Sequence, residues 1–220
     1  MKIKYYLIIL LVVLLISLYF IYIKYLKVKP ITPVNNLPAA VSPVPISISN
    51  SEPSLNDNVL QEPVKDFRTR ITKKPFGIYI TPANSPIQPE KYTGYHAGVD
   101  AEYDDISEDT PVYAVSDGIV EYSGTVGGYG GVLVIREKIN SDEILCLYGH
   151  LASSSLTEKG KTVKKGEIIG RLGNSYSEET SGERKHLHFA ILKGTNIDYR
   201  GYVQNKEELN IWYDPLDYFR

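Results

Sequence analysis

The run Pro111-Val112-Tyr113-Ala114-Val115-Ser116-Asp117-Gly118-Ile119-Val120-Glu121-Tyr122 decides how the folded part of this chain is built. β-Branched and aromatic residues fill both halves, and Asp117-Gly118 between them is a turn signal. The pattern then repeats. Gly127-Gly128-Tyr129-Gly130-Gly131 leads into Val132-Leu133-Val134-Ile135, Ile144 to Tyr148 follows, and His188-Phe189-Ala190-Ile191-Leu192 comes later. Short apolar runs bounded by glycine and polar turns predict buried strands. Thr162 to Gly170 reads as a hairpin, and only Lys206 to Leu209 as a helical turn. The expected fold class is mainly β, a compact antiparallel sheet domain over residues 72–220, long enough for one core.

Upstream the composition changes character. Tyr5 to Ile23 is uncharged and almost wholly apolar, bounded by Lys4 and Lys24. At about 1.5 Å per helical residue it spans roughly the 30 Å core of a bilayer. A cleaved signal peptide would want a shorter apolar region and small residues near its end, whereas this run closes in Phe20-Ile21-Tyr22-Ile23. The reading is a short cytoplasmic tail over 1–4, an uncleaved transmembrane anchor over 5–25 and a linker over 26–71. Seven prolines between Pro30 and Pro63, set among Ser, Asn and Val, make an extended spacer. Lysines flank both ends of the apolar run, so charge does not set its orientation.

Five of the 24 lysines and arginines lie in the first thirty residues, which hold no acid. The remaining chain therefore sets 19 basic groups against 26 acidic ones, which argues against a nucleic-acid partner. The single cysteine, Cys146, excludes an internal disulfide. It also makes a poor nucleophile for His150. In a strand, residues four apart lie about 13 Å from each other, so Cys146 reads as a core residue. The glycines at 127–131 are followed by a strand rather than by a helix, which argues against a phosphate-binding loop.

All four histidines fall in or between two motifs: His96-Ala97-Gly98-Val99-Asp100, the end of Leu147-Tyr148-Gly149-His150, and His186-Leu187-His188. Two imidazoles and a carboxylate on zinc leave a fourth position open, the layout of a hydrolytic site, and two histidines remain to handle protons. Strand alternation puts His186 and His188 on one face while Leu187 and Phe189 enter the core. Gly98 and Val99 disfavour a helix, so His96 and Asp100 are expected together on a strand edge. A cupin-type barrel would want a glutamate shortly after His188, and an iron facial triad would leave His150 and His186 unexplained.

Taken in order, Gly94-Tyr95-His96-Ala97-Gly98-Val99-Asp100, Thr110 to Gly118, Leu147-Tyr148-Gly149-His150-Leu151, Val163-Lys164-Lys165-Gly166 and His186-Leu187-His188-Phe189 resemble the lysostaphin-type (LytM-like) zinc metallopeptidases. The resemblance covers roughly Phe76 to Leu192, and the Asp214-Pro215-Leu216 ending suits it. It implies one Zn2+ held by His96, Asp100 and His188, with His150 and His186 as the catalytic pair. It implies an endopeptidase that hydrolyses peptidoglycan stem or cross-bridge peptides by attack of a zinc-bound water. It also implies a tyrosine that steadies the transition state, Tyr79 or Tyr95. A membrane-held, extracytoplasmic catalytic domain follows from that substrate.

Two departures stand out. The segment Ser175 to Lys185 is longer and more charged than the Gly-Pro-ended turn usual before the second histidine motif, and it would edge the cleft. Asp104 to Asp109 is unusually acidic and reads as a solvated loop. Rival functions are a non-catalytic regulator of another wall hydrolase, which would lack part of the five-residue set, and a D-alanyl carboxypeptidase. The latter needs a cation for the free carboxylate, with Arg184 and Lys185 as candidates. The bond cut and any regulatory protein partner are not written in the sequence.

Overall fold

Antiparallel strands carry nearly all the regular structure of the described residues, 60–139 and 142–219, in this computed structural model. In chain order they are β1 (Tyr79–Ile80), β2 (Gly94–His96), β3 (Val99–Glu102), β4 (Pro111–Tyr113), β5 (Gly118–Val126), β6 (Gly130–Ile139), β7 (Asp142–Leu151), β8 (Thr162–Val163), β9 (Ile168–Arg171), β10 (His186–Lys193), β11 (Tyr202–Val203) and β12 (Trp212–Tyr213). The main sheet runs β12-β10-β7-β6-β5-β8, with β3 also paired to β10. A three-stranded sheet, β1-β2-β11, and the pair β4-β9 complete the fold. The expected mainly β class is what forms; besides the expected turn, now Lys206–Ile211, short 3-10 segments also form at Arg68–Arg70, Ser153–Ser155, Glu178–Thr180 and Pro215–Asp217. The expected tail (1–4) and anchor (5–25) lie outside the described residues, as does the first part of the linker.

The continuous apolar runs have a simple cause: the central strands are covered on both faces. Leu133, Ile135, Cys146, Tyr148, Leu187, Phe189 and Ile191 pack into one core. Val132, Val134, Leu145, Leu147, Ala190 and Leu192 pack into a second core. Strand period two thus sends alternate residues to two apolar environments, and none of these positions needs a polar side chain.

Three expectations are corrected. The linker drawn over 26–71 extends too far, because residues 60–71 belong to the domain. Leu60, Val64 and Phe67 are buried in the first core, and the Phe67 ring meets those of Phe219 and Phe189 at 5.0 and 5.6 Å. Backbone bonds from Gln61 N to Val115 O and from Tyr113 N to Pro63 O tie the segment down. Proline and polar composition concealed three apolar anchors in a stretch with no period. Thr162 to Gly170 is not a hairpin either. A turn does form at Lys164-Lys165-Gly166-Glu167, but β8 pairs with β5 and β9 with β4. The turn hands the chain from one sheet to another.

The third correction concerns His96 and Asp100, which do not share a strand. His96 ends β2 in the small sheet and Asp100 lies in β3, paired to β10. The step between them passes close beneath β10. A Cβ on Gly98 would meet the Phe189 carbonyl at 2.7 Å and His188 Nε2 at 2.8 Å. Only glycine lets the backbone approach the second motif this closely.

Candidate metal centre and catalytic cleft

Strand β10 presents His186 and His188 to one side, and its pairing with β3 sets His188 opposite Asp100 and His186 opposite Glu102. His96 arrives from the neighbouring sheet. Three donor atoms converge: His96 Nε2 to His188 Nδ1 at 3.1 Å, His188 Nδ1 to Asp100 Oδ1 at 3.1 Å, and His96 Nε2 to Asp100 Oδ1 at 3.3 Å. A tetrahedral zinc ion with bonds of about 2.0–2.1 Å sets its ligand atoms about 3.3–3.4 Å apart. The triangle is therefore of the right size and chemistry for a metal ion. The far ring nitrogens agree. His96 Nδ1 faces the Pro75 carbonyl at 3.3 Å, which can only accept, so the proton sits there and the Nε2 lone pair is left for the ion. His188 Nε2 lies 3.3 Å from the Tyr129 hydroxyl.

All three side chains are buried, as are His150 and His186. Burial alone would raise the Asp100 carboxyl. The neighbouring His186 and His96, with the His188 hydrogen bond, overcome this and hold it well below the usual carboxylate range. Burial lowers the His188 imidazole, which favours the neutral form a ligand requires.

His150 reaches this group by a departure from strand regularity. Strict alternation would point it with Cys146 and Tyr148 into the first core. Instead, the pairing of β6 with β7 slips between Gly131 and Val132, so that Val132 faces Gly149 and Gly131 faces Leu151. His150 is the extra residue of this bulge, with φ of +63°. The bulge turns its side chain to the cleft, where its ring lies 4.1 Å, centroid to centroid, from that of His186. Its Nδ1 donates to the Thr180 carbonyl at 3.1 Å, and His186 Nδ1 donates to the Arg184 carbonyl at 2.8 Å. Both rings therefore leave Nε2 unprotonated. Burial drives His150 down to about 3, and burial together with the adjacent His150 drives His186 well down, so both are neutral at pH 7. Two imidazoles this close hold one added proton between them at most.

The segment 175–185 does edge the cleft, through Glu183 and Arg184, and supplies both orienting carbonyls. The cleft encloses about 300 Å³ and is also lined by Lys74, Tyr92, Tyr129, Tyr199 and Tyr202. The two candidate tyrosines are not among these. Tyr95 neighbours His96 on β2 and so faces the other way, and its ring packs on Tyr79 at 4.8 Å. Tyr202 instead sits over His96, ring centroids 5.1 Å apart, and its hydroxyl accepts from Lys74 Nζ at 3.0 Å. Lys74 is paired with Glu90 at 2.6 Å, both buried. Motif spacing could not find Tyr202 or Lys74, which come from distant, featureless segments. Arg184 and Lys185 are turned inward, Arg184 onto Asp100 and Glu102, Lys185 Nζ onto the Ile106 and Glu108 carbonyls. In the acidic loop, Asp105 pairs with Arg70 and Asp109 with Arg171.

Residues 94–199 match peptidase family M23. The DD-carboxypeptidase/endopeptidase Mpg of Neisseria meningitidis serogroup B is 34% identical over 104 residues, 47% of this chain and 21% of that protein. The chain thus spans about a fifth of that relative's length. Lipoprotein NlpD of Yersinia enterocolitica is 32% identical over 102 residues, 46% of this chain and 96% of that protein. The structure of Helicobacter pylori Csd3 is similar with a TM-score of 0.47 and 31% identity, covering 74% of this chain and 35% of that one.

Proposed function

Because the chain belongs to peptidase family M23, we propose that it is a zinc-dependent endopeptidase that hydrolyses peptide bonds in peptidoglycan stem or cross-bridge peptides. The observation that carries this reading is the triangle of His96 Nε2, Asp100 Oδ1 and His188 Nδ1, with the open Nε2 atoms of His150 and His186 beside it. Zinc held there supplies a Lewis acid that polarises the scissile carbonyl and lowers the pKa of water toward about 7. The chain's own groups do the rest. One of the two neutral histidines takes the proton from the attacking water and passes it to the leaving amine. The pair shares that single proton, so the ring that carries it donates to the developing oxyanion before the amine leaves. The Thr180 and Arg184 carbonyls hold the Nδ1 proton of each ring, so that each Nε2 starts free to accept.

The carboxypeptidase reading asks for a cation free to hold a terminal carboxylate. Arg184, Lys185 and Lys74 are each committed to carboxylates or carbonyls, which favours an internal bond. A purely regulatory role has no use for a complete ligand triangle beside two open imidazoles. An anchor over residues 5–25 would hold the domain on the outer side of the membrane, where peptidoglycan lies.

The full chain, purified in detergent and incubated with peptidoglycan, is the test, with mass spectrometry of the released fragments. Cleavage at an internal peptide bond is expected, abolished by a chelator and restored by zinc. His150→Ala and His186→Ala should each lower the rate by about 10²–10⁴-fold. Undiminished hydrolysis in either variant would end the mechanism, and a zinc-loaded protein inert on every peptidoglycan would favour the regulatory role.

A further inference from the structure

Arg184 touches both halves of the cleft at once. Its buried side chain donates from Nε to Glu102 Oε2 at 2.7 Å, and from Nη2 to Glu102 Oε1 at 2.6 Å and Asp100 Oδ2 at 3.0 Å. Its carbonyl accepts the proton of His186 Nδ1. The two oxygens of Asp100 are thereby given separate tasks. Oδ1 faces His96 and His188, while Oδ2 faces the guanidinium and lies 3.5 Å from His186 Nε2. Asp100 and Glu102 are two residues apart on β3 and share a face, and β10 places His188 and His186 opposite them. Without a cation between them, two carboxylates buried side by side would repel and lose their solvation. A planar fork of donors can bridge both; the compact ammonium of lysine cannot span them in the same geometry.

We propose that Arg184 is a positioning residue of the metal centre, holding Asp100 Oδ2 so that Oδ1 alone is offered to the ion, and anchoring the carbonyl that orients His186. The proposal rests on the zinc reading above. Partners behind a metal ligand commonly govern affinity by about 10–100-fold.

The test uses the full chain, wild type, Arg184→Lys and Arg184→Gln. It compares zinc affinity by chelator competition and the visible absorption of the Co2+-loaded proteins, with thermal melts of the metal-free forms. Zinc should bind about 10–100-fold more weakly to Arg184→Gln, and Arg184→Lys should recover only part of this. The cobalt bands should weaken in both variants, because a released Asp100 can offer two oxygens and raise the coordination number. kcat should fall with KM little changed. Should Arg184→Gln not fold, Arg184→Lys, which keeps the charge, decides. A folded variant with zinc affinity within about twofold of wild type and an unaltered cobalt spectrum overturns the proposal. A wild type that takes up no zinc overturns the zinc reading and this role together, a result distinct from variants that match a zinc-binding wild type.

Discussion

Replacing Glu137 by glutamine should remove most of the loss of stability that this domain suffers between mildly acidic and mildly alkaline pH. Glu137 lies on β6, facing the first core, and is 1% exposed. Tyr148 donates its hydroxyl to Oε1 at 3.1 Å, but Oε2 has no hydrogen-bond partner among the described residues. Burial pushes this carboxyl from 4.5 up to about 8. The folded state therefore keeps the proton that the unfolded chain releases near 4.5. The stabilisation is present in full below that pH and is lost as pH rises toward about 8. At about 1.36 kcal/mol per unit, the full loss amounts to roughly 5 kcal/mol, most of it between pH 5 and pH 8. His150 acts in the opposite sense. Its pKa is depressed to about 3, so its contribution is present above 6.5 and lost as pH falls. Comparing wild type with Glu137→Gln at each pH cancels that term. In urea unfolding the variant's advantage should grow by roughly 4 kcal/mol from pH 5 to pH 8, with m unchanged. An advantage equal at both pH values would refute the assignment of a neutral buried carboxyl.

Phe67→Ala should cost about 3–5 kcal/mol, since the ring fills the core between Phe189 and Phe219. A loss under about 1 kcal/mol in urea unfolding would return residues 60–71 to the linker. Gly130 has φ of +74°, and a Cβ there would strike the Glu179 carbonyl. Gly130→Ala should therefore shift the turn that carries Thr180, lowering kcat at least about tenfold while zinc content holds. An unaltered kcat would sever the link between that turn and His150. Tyr79→Phe and Tyr95→Phe should leave kcat within about twofold, because both rings face away from the cleft. A loss of about 10²-fold in a steady-state assay would restore one of them to the transition state.

Much of the fold is legible in the chain because its signals are local. Val132–Ile135 and Ile144–Tyr148 announce buried strands by composition alone. His186 and His188 must share a face wherever the strand lies. The five residues His96, Asp100, His150, His186 and His188 can be nominated before any coordinates, because all four histidines fall in or between two motifs and the ordered set resembles the lysostaphin-type metallopeptidases. Their convergence on one cleft is then an observation.

What remained hidden is non-local. Period two sends His150 toward Cys146 and Tyr148, and only the slip between β6 and β7 reverses it. The turn at 164–167 looks like a hairpin until one sees that its two strands belong to different sheets. His96 and Asp100 look like one strand because nothing in four residues tells that the chain changes sheets at Gly98. Arg184 reads as a candidate cation for a substrate carboxylate, and it is the pairing of β3 with β10 that draws it between Asp100 and Glu102. Residue type and short spacing determine which chemistry this chain can offer, through side-chain period and ligand preference. Register, bulges and the crossing of sheets decide which groups meet, because those depend on contacts between segments tens of residues apart.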